Sequence, residues 1–175
     1  AGTDSAVLSQ TFANKNVGTG KAVTVSLSGA DATNYSLTQP GLTADITAKA
    51  LTVSASASNK VYDGNTTASV SLSDDRIGGD TLSLSNTTAT FDTKNVGTAK
   101  TVSVTGIDVT GVDAANYTFN TTASSAADIT AKTITLSGAT ANNKVYDATT
   151  AATITGGTLN GVVGGDTVTS ATGTF

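Results

Sequence analysis

Cysteine, histidine, methionine and tryptophan are absent from this 175-residue chain, and there is a single proline. All 13 acidic residues are Asp, so Glu is missing as well. Without cysteine no disulfide framework can hold the fold, and cohesion is left to β pairing and packing. Without His, Glu or a thiol the usual general bases and nucleophiles are gone, and the chain is expected not to be an enzyme. Charge is also scarce, at 13% of residues with a net of −4. The positive footprint that neutralises phosphates is therefore lacking, and nucleic acid is not an expected partner. No run approaches the ~20 apolar residues of a spanning helix, so no membrane insertion is expected. The opening Ala1-Gly2-Thr3-Asp4 has neither the basic nor the apolar region of a secretory signal, which places any such signal upstream.

What is present is Thr, Ser and Ala in quantity, 18 Gly, and short alternating runs such as Val23-Thr24-Val25-Ser26-Leu27 and Thr101-Val102-Ser103-Val104. Low charge and few aromatics are compatible with disorder, but strict period-2 alternation is the signature of half-buried strands. β-branched Thr and Val suit a pleated surface. The chain reads as all-β.

Three motifs recur. Asn59-Lys60-Val61-Tyr62-Asp63-Gly64 returns as Asn143-Lys144-Val145-Tyr146-Asp147-Ala148, with Lys60 and Lys144 84 residues apart. Phe12-Ala13-Asn14-Lys15-Asn16-Val17-Gly18-Thr19 returns as Phe91-Asp92-Thr93-Lys94-Asn95-Val96-Gly97-Thr98, 79 residues on. Asp45-Ile46-Thr47-Ala48-Lys49 returns as Asp128-Ile129-Thr130-Ala131-Lys132, 83 residues on. Such periods exceed the ~20–50 residues of solenoid rungs and match whole small domains. One complete β-sandwich repeat is expected at 50–132, with the second half of a repeat at 1–49 and the first half of another at 133–175. Thr11-Phe12, Thr90-Phe91 and Thr174-Phe175 occupy one place in the pattern. A cyclic pattern has no intrinsic phase, so the folding unit could instead begin near Gly79 and run to the next Gly-Gly-Asp at Gly164-Gly165-Asp166.

Within 50–132, strands are expected near 50–57, 60–62, 66–72, 81–85, 87–91, 99–105, 107–110, 115–120 and 126–131, which is the rhythm of a sandwich. Asp113-Ala114-Ala115-Asn116-Tyr117, echoed by Asp31-Ala32-Thr33-Asn34-Tyr35, has the spacing that leads into an immunoglobulin-type tyrosine corner; the plainer reading is a buried Tyr after a turn. Tyr117 is expected to be buried with its hydroxyl on backbone, and Tyr62 to pack beneath the Asp63-Gly64 turn. At the junctions the apolar positions change parity, from Ile46 and Ala48 to Leu51 and Val53, and from Ile129 and Ala131 to Ile134 and Leu136. A one-residue parity change turns side chains to the opposite face. Linker-free junctions of this kind predict tandem immunoglobulin-like sandwiches arranged as a stiff rod.

No catalytic, cofactor-binding or metal residue is assigned. Asp63/Asp147, Asp80/Asp166 and Asp31/Asp113 recur as turn residues do. Gly18-Thr19-Gly20-Lys21 resembles part of a phosphate loop, lacks its first Gly, and reads as a hairpin turn. Asp74, Asp75 and Asp80 are the calcium candidates, but the counterpart loop at Asn160–Asp166 lacks both leading carboxylates, so a solvated loop is the better reading. An intramolecular amide is conceivable from Lys60, Lys94 or Lys100 to Asn65 or Asn116. Asn34, Asn65, Asn86, Asn116 and Asn120 match the glycosylation pattern, as chance allows in an Asn- and Thr-rich chain. Seven of the eight aromatics lie in recurring positions and read as core; Phe119 alone does not.

The string Lys60-Val61-Tyr62-Asp63-Gly64, with Thr66-Thr67-Ala68, Gly79-Asp80, Lys94-Asn95-Val96-Gly97 and Asn116-Tyr117-Thr118, resembles the YDG repeat domain of large secreted filamentous-haemagglutinin-like bacterial adhesins. Ala148 departs from the motif Gly, which puts in question any need for positive φ at that turn. The resemblance implies an extracellular location, on the bacterial surface or in a biofilm matrix. It implies no ligand, so the expected function is a structural stalk or spacer segment of an adhesin or fibre, with a glycan- or matrix-binding module using sandwich-end loops as the alternative. Expected partners are neighbouring repeats or chains of the same protein, joined head-to-tail into a filament, and host or matrix glycans. An isolated half-sandwich would leave residues such as Ile134, Leu136, Val23 and Val25 exposed.

Overall fold

The computed structural model describes residues 7–169 and is all-β, with two single-turn 3-10 helices, Ala32–Asn34 and Ala114–Asn116. Phe175, and with it the third Thr-Phe pair of the pattern, lies outside the described residues. The strands are β1 Val7–Phe12, β2 Gly18–Ser28, β3 Thr43–Ile46, β4 Lys49–Leu51, β5 Val53–Ala57, β6 Lys60–Val61, β7 Val70–Asp74 and β8 Ser83–Ser85. They continue as β9 Thr88–Phe91, β10 Gly97–Thr105, β11 Asp108–Thr110, β12 Tyr117–Phe119, β13 Thr122–Thr130, β14 Thr135–Ala141 and β15 Ile154–Asn160. The fold consists of two compact units, both drawing on residues 50–132.

The first unit comprises Ala1–Ser54, Leu72–Ser85 and Ile107–Thr121. Its sheet has the order β1-β2-β3, with Phe12 opposite Val23 and Thr11 opposite Thr24. Val25, Leu51, Val53, Leu82, Ile107, Val109 and Tyr117 are its buried apolar residues. β4 pairs in parallel with β12, Tyr117 opposite Lys49 and Phe119 opposite Leu51. Phe119 is thus a half-buried strand residue, not a loop aromatic. The lone proline, Pro40, lies just before β3 and has no N–H to donate to a ladder. There the side chain of Gln39 stands in for a strand: Val25 N–H donates to Oε1 (3.1 Å) and Nε2 donates to the Val25 carbonyl (2.8 Å). Val25, expected at risk of exposure, is buried instead.

The predicted 50–57 strand is broken at Thr52. Thr52 N–H donates to Asp75 Oδ1 (2.7 Å), while the Asn120 amide takes Val53 N–H (2.8 Å) and donates to the Val53 carbonyl (3.0 Å). Side chains therefore replace ladder partners where parity changes, and Leu51 and Val53 are both buried while Ala50 faces solvent.

The second unit comprises Ala55–Ser71, Asn86–Gly106 and Thr122–Phe175. Its main sheet runs β6-β13-β10-β9. Phe91 lies opposite Val102 and Thr90 opposite Ser103, the same register as in β1 and β2. β10 alternates as its sequence predicts, with Val102 and Val104 fully buried and Ser103 between them exposed. Ala89, Phe91, Ala127 and Ile129 complete the core, and β14 and β15 form a hairpin in which every β14 residue is exposed. At the second parity change the burial switch does not occur: Ile134 and Leu136 remain exposed.

The Gly-Thr-Gly-Lys segment is not a hairpin turn. It lies inside β2, where the register slips between Gly18 and Lys21, and β10 repeats the irregularity between Gly97 and Lys100. Each bulge frees one N–H, which a DITAK-motif carboxylate accepts: Gly20 on Asp45 Oδ1 and Ala99 on Asp128 Oδ1, both at 2.8 Å. Bulges are recurrent devices that bend a strand and leave a donor to be satisfied. The motif Asp is therefore structural.

Candidate functional site: a lysine–aspartate–tyrosine cluster in each unit

In the first unit the Phe12–Thr19 motif delivers Lys15 from the loop between β1 and β2. Its Nζ meets Asp80 Oδ1 at 2.7 Å and Asp113 Oδ1 at 2.9 Å. Asp80 Oδ2 accepts the Tyr117 hydroxyl at 2.6 Å, and that hydroxyl in turn accepts Ile77 N–H at 3.0 Å. Asp113 Oδ2 accepts Thr81 N–H at 2.9 Å, while Val17 N–H donates to Asn116 Oδ1 at 2.9 Å. Both carboxylates are largely shielded from solvent, whereas Lys15 remains open on one side.

Two acids around one base set the protonation states. Hydrogen bonds from Lys15 and Tyr117 hold Asp80 below the usual carboxylate range. Thr81 N–H and then Lys15 do the same for Asp113. Asp80 and Asp113 raise Lys15, and the bond to Asp80 followed by burial raises Tyr117. All four groups keep one charge state across the neutral range. None is poised to exchange protons.

The second unit repeats the lysine–aspartate pair with the next motif copies, Lys94 and Asp166, and closes it with a tyrosine from a different motif. Asp166 Oδ2 accepts the hydroxyl of Tyr62 at 2.7 Å, and Lys94 Nζ reaches Oδ1 at 3.3 Å. Lys94 also stands 5.9 Å from the Tyr62 ring centroid. Tyr62 and Lys94 hold Asp166 low; Tyr62 and then Asp166 raise Lys94. The tyrosine differs: Tyr117 in one unit, Tyr62 in the other. Each cluster borders a shallow cavity, of about 170 Å³ beside Ile77 and Val17, and about 230 Å³ beside Val163 and Ile134.

These contacts correct several expectations. Tyr62, expected beneath the Asp63-Gly64 turn, is half-buried and its hydroxyl is held by Asp166. Tyr117 is buried and bonded to backbone as expected, but at Ile77, forty residues upstream, so it does not form a local tyrosine corner. The calcium candidates are each committed elsewhere: Asp74 to Arg76 (2.5 and 2.8 Å), Asp75 to Thr52 N–H, Asp80 to Lys15 and Tyr117. Lys60 does meet Asn65 Oδ1 (3.0 Å) with Asp63 beside it (2.8 Å), but in a loop whose Asp63 is half exposed, not in the apolar core that amide formation needs. Lys94 and Lys100 engage Asp166 and Asp92 instead. Among the aromatics, Phe91 and Tyr117 are core as read, whereas Phe12, Tyr35 and Tyr146 are exposed.

The KVYDG lysine organises its own loop. Lys60 Nζ donates to Asn65 and Thr67 carbonyls (2.9 and 3.0 Å), and Lys144 to Thr149 and Ala151 carbonyls (2.8 and 2.9 Å). Asp63 Oδ1 accepts Asn65 N–H, and Asp147 Oδ1 accepts Thr149 N–H. Gly64 has φ +81° and Ala148 φ +59°, so the turn does demand the left-handed region in both copies. The signal for the clusters was in the sequence, since every member recurs, but the pairing of Lys15 with Asp80 spans 65 residues and no spacing rule reveals it.

Among known families, the YDG domain profile matches residues 1–43, 47–125 and 130–175. No curated protein and no solved structure matches the chain.

Proposed function

The chain belongs to the YDG domain family, and from that premise we propose that it is a structural repeat segment, a stalk or spacer of a bacterial surface adhesin or extracellular matrix fibre. In this reading it is a tandem array of immunoglobulin-like sandwiches, arranged as a rod and located outside the cell. The observation that carries it is the reuse of one internal lock: Lys15–Asp80–Tyr117 in the first unit and Lys94–Asp166–Tyr62 in the second. In each lock the charged side chains satisfy one another, and a fully satisfied polar network rigidifies the fold around it. Binding of a glycan or matrix component is the less favoured reading. The cavities beside the locks fall below the ~300–1,000 Å³ of small-ligand pockets, and a hollow of about 350 Å³ lined by Thr67, Ala68, Val70 and residues 86–90 offers no aromatic or charged side chain to a sugar.

Small-angle scattering on the monomer tests the rod. A compact globule of this length has a radius of gyration of roughly 16 Å. The proposal expects a value above ~20 Å, and a value at the compact figure sinks it.

A further inference from the structure

The sheets β1-β2-β3 and β6-β13-β10-β9 share register, Gly18 opposite Ile46 matching Gly97 opposite Ile129, yet the second has one strand more. That strand is β6, which lies parallel to the end of β13 with Lys60 opposite Ile129 and Val61 opposite Thr130. It is fastened by Asn59 Oδ1 accepting Asp128 N–H (2.7 Å) and by Tyr62 N–H donating to the Thr130 carbonyl (2.8 Å). Under this cover Ile129 is 1% exposed, whereas Ile46, its counterpart on the outer strand β3, is only half-buried. Such an uncovered edge is a template for a further strand.

The chain also carries a second copy of the β6 sequence that, among the described residues, pairs with no strand. Asn143-Lys144-Val145-Tyr146-Asp147 repeats the Asn59–Asp63 sequence, and its lysine cage and Asp turn are already formed. No strand is assigned to it, and Tyr146 is 91% exposed where Tyr62 is half-buried. The receiving surface is equally ready. Ile77, 55% exposed, and the Lys15–Asp80 pair occupy the positions that Val163 and Lys94–Asp166 hold around Tyr62 in the other unit, where Asp166 Oδ2 accepts the Tyr62 hydroxyl. The Asp80 carboxylate accepts from Lys15 and Tyr117, and a carboxylate has about four acceptor sites, so it can take a further hydroxyl.

We infer that Asn143–Asp147 of one chain adds in parallel to β3 of a second copy, Lys144 opposite Ile46 and Val145 opposite Thr47, with the Tyr146 hydroxyl on Asp80. The occupant is this chain's own segment because the mating pair β6 and β13 already displays the required register, hydrogen bonds and tyrosine seat. The mode is strand addition, with backbone bonds giving affinity and one side-chain pocket giving specificity. Donor and acceptor surfaces differ, so the contact is heterologous and propagates into a filament rather than closing. This deepens, and rests on, the head-to-tail array reading.

The absence of cysteine makes the register directly testable. Parallel neighbours lie within the Cα separation a disulfide tolerates. Thr47→Cys and Val145→Cys chains are prepared separately, mixed and oxidised, with Thr24→Cys, on β2, as the control partner for Val145→Cys. The expected result is a two-chain disulfide from the Thr47/Val145 mixture alone. Adding Tyr146→Ala to the Val145→Cys chain should cut its yield roughly tenfold, the scale of one charge-assisted hydrogen bond. Because Tyr146 is exposed, folding of that variant is unaffected, which circular dichroism verifies. Yields equal to the control, or yields indifferent to Tyr146→Ala, overturn the inference. An extended monomer by scattering with no cross-link overturns strand addition alone; a cross-link from a compact monomer overturns the rod and leaves strand addition standing.

Discussion

Ala148 is the residue where local strain is most legible. It occupies φ +59° in the place of a motif glycine that sits at φ +81°. An L-residue pays about 1–2 kcal/mol in the left-handed region, against which glycine costs about 0.4–1 kcal/mol in extra unfolded-state entropy. Ala148→Gly is therefore expected to stabilise the protein by about 0.5–1 kcal/mol, read as a higher urea midpoint at unchanged slope. Ala99, at φ +48° where Gly20 stands in the earlier copy, should respond in the same direction. The polar motif residues behave differently from what residue type alone implies. Lysines that look like solvated surface charges are loop organisers, and Asp45 and Asp128 are acceptors for bulge N–H groups.

At the scale of elements, one strand can be compared with and without its neighbour. β13 is flanked by β10 and β6, and Ile129 is 1% exposed; among the described residues β3 pairs with β2 alone, and Ile46 is half-buried. Ile129→Ala is expected to cost about 2–5 kcal/mol, the range for emptying a fully buried aliphatic site. Ile46→Ala should cost well under half as much in dilute monomeric protein, because its site is already partly in water. Denaturant midpoints of the two variants decide this, and equal losses would mean that β3 is covered in solution. Hydrogen exchange should rank the same elements. Amides of Val102 and Val104, fully buried on a central strand, are expected to exchange slowest, and those of the wholly exposed β14 among the fastest.

For the whole molecule, the two locks predict how stability depends on pH. Asp80, Asp113 and Asp166 have folded pKa values depressed below the ordinary 3.8. Each contributes stability that is present above the unfolded value and is lost as pH falls through the folded one. Lys15 and Tyr117 are raised above 10.5 and 10.0. Their contributions are present below those values and fade as pH climbs past them. The expected profile is a plateau between about pH 5 and 9 with a fall on both sides. Asp80→Asn should flatten both limbs, since Asp80 is itself held low by Lys15 and Tyr117 and in turn raises both of them. A profile unchanged by that substitution would show that the cluster is dispensable.

Local periodicity and recurrence are legible along the chain. Alternation in Thr101–Val104 and Val23–Leu27 marked β10 and β2, because side chains on a strand alternate faces whatever the sheet around them. Repetition of the KVYDG, Phe12–Thr19 and DITAK motifs marked the residues that matter. It did not reveal why, and the reason is distance along the chain. Lys15 finds Asp80, and Tyr62 finds Asp166 across 104 residues. Those pairings depend on which loops the fold brings together, and no spacing within a motif carries that information. The tertiary structure alone also decided the break at Thr52, where Asp75 and Asn120 side chains outcompete a continuous ladder, and the bulge at Gly18-Thr19-Gly20-Lys21, which the distant Asp45 completes. Burial followed the same rule: Phe12 and Phe91 share a motif and a register, yet Phe91 is 3% exposed and Phe12 38%, because Lys60 and the Thr66–Ala68 segment cover only Phe91. A repeated sequence specifies the same strand each time, and its neighbours decide whether that strand is inside.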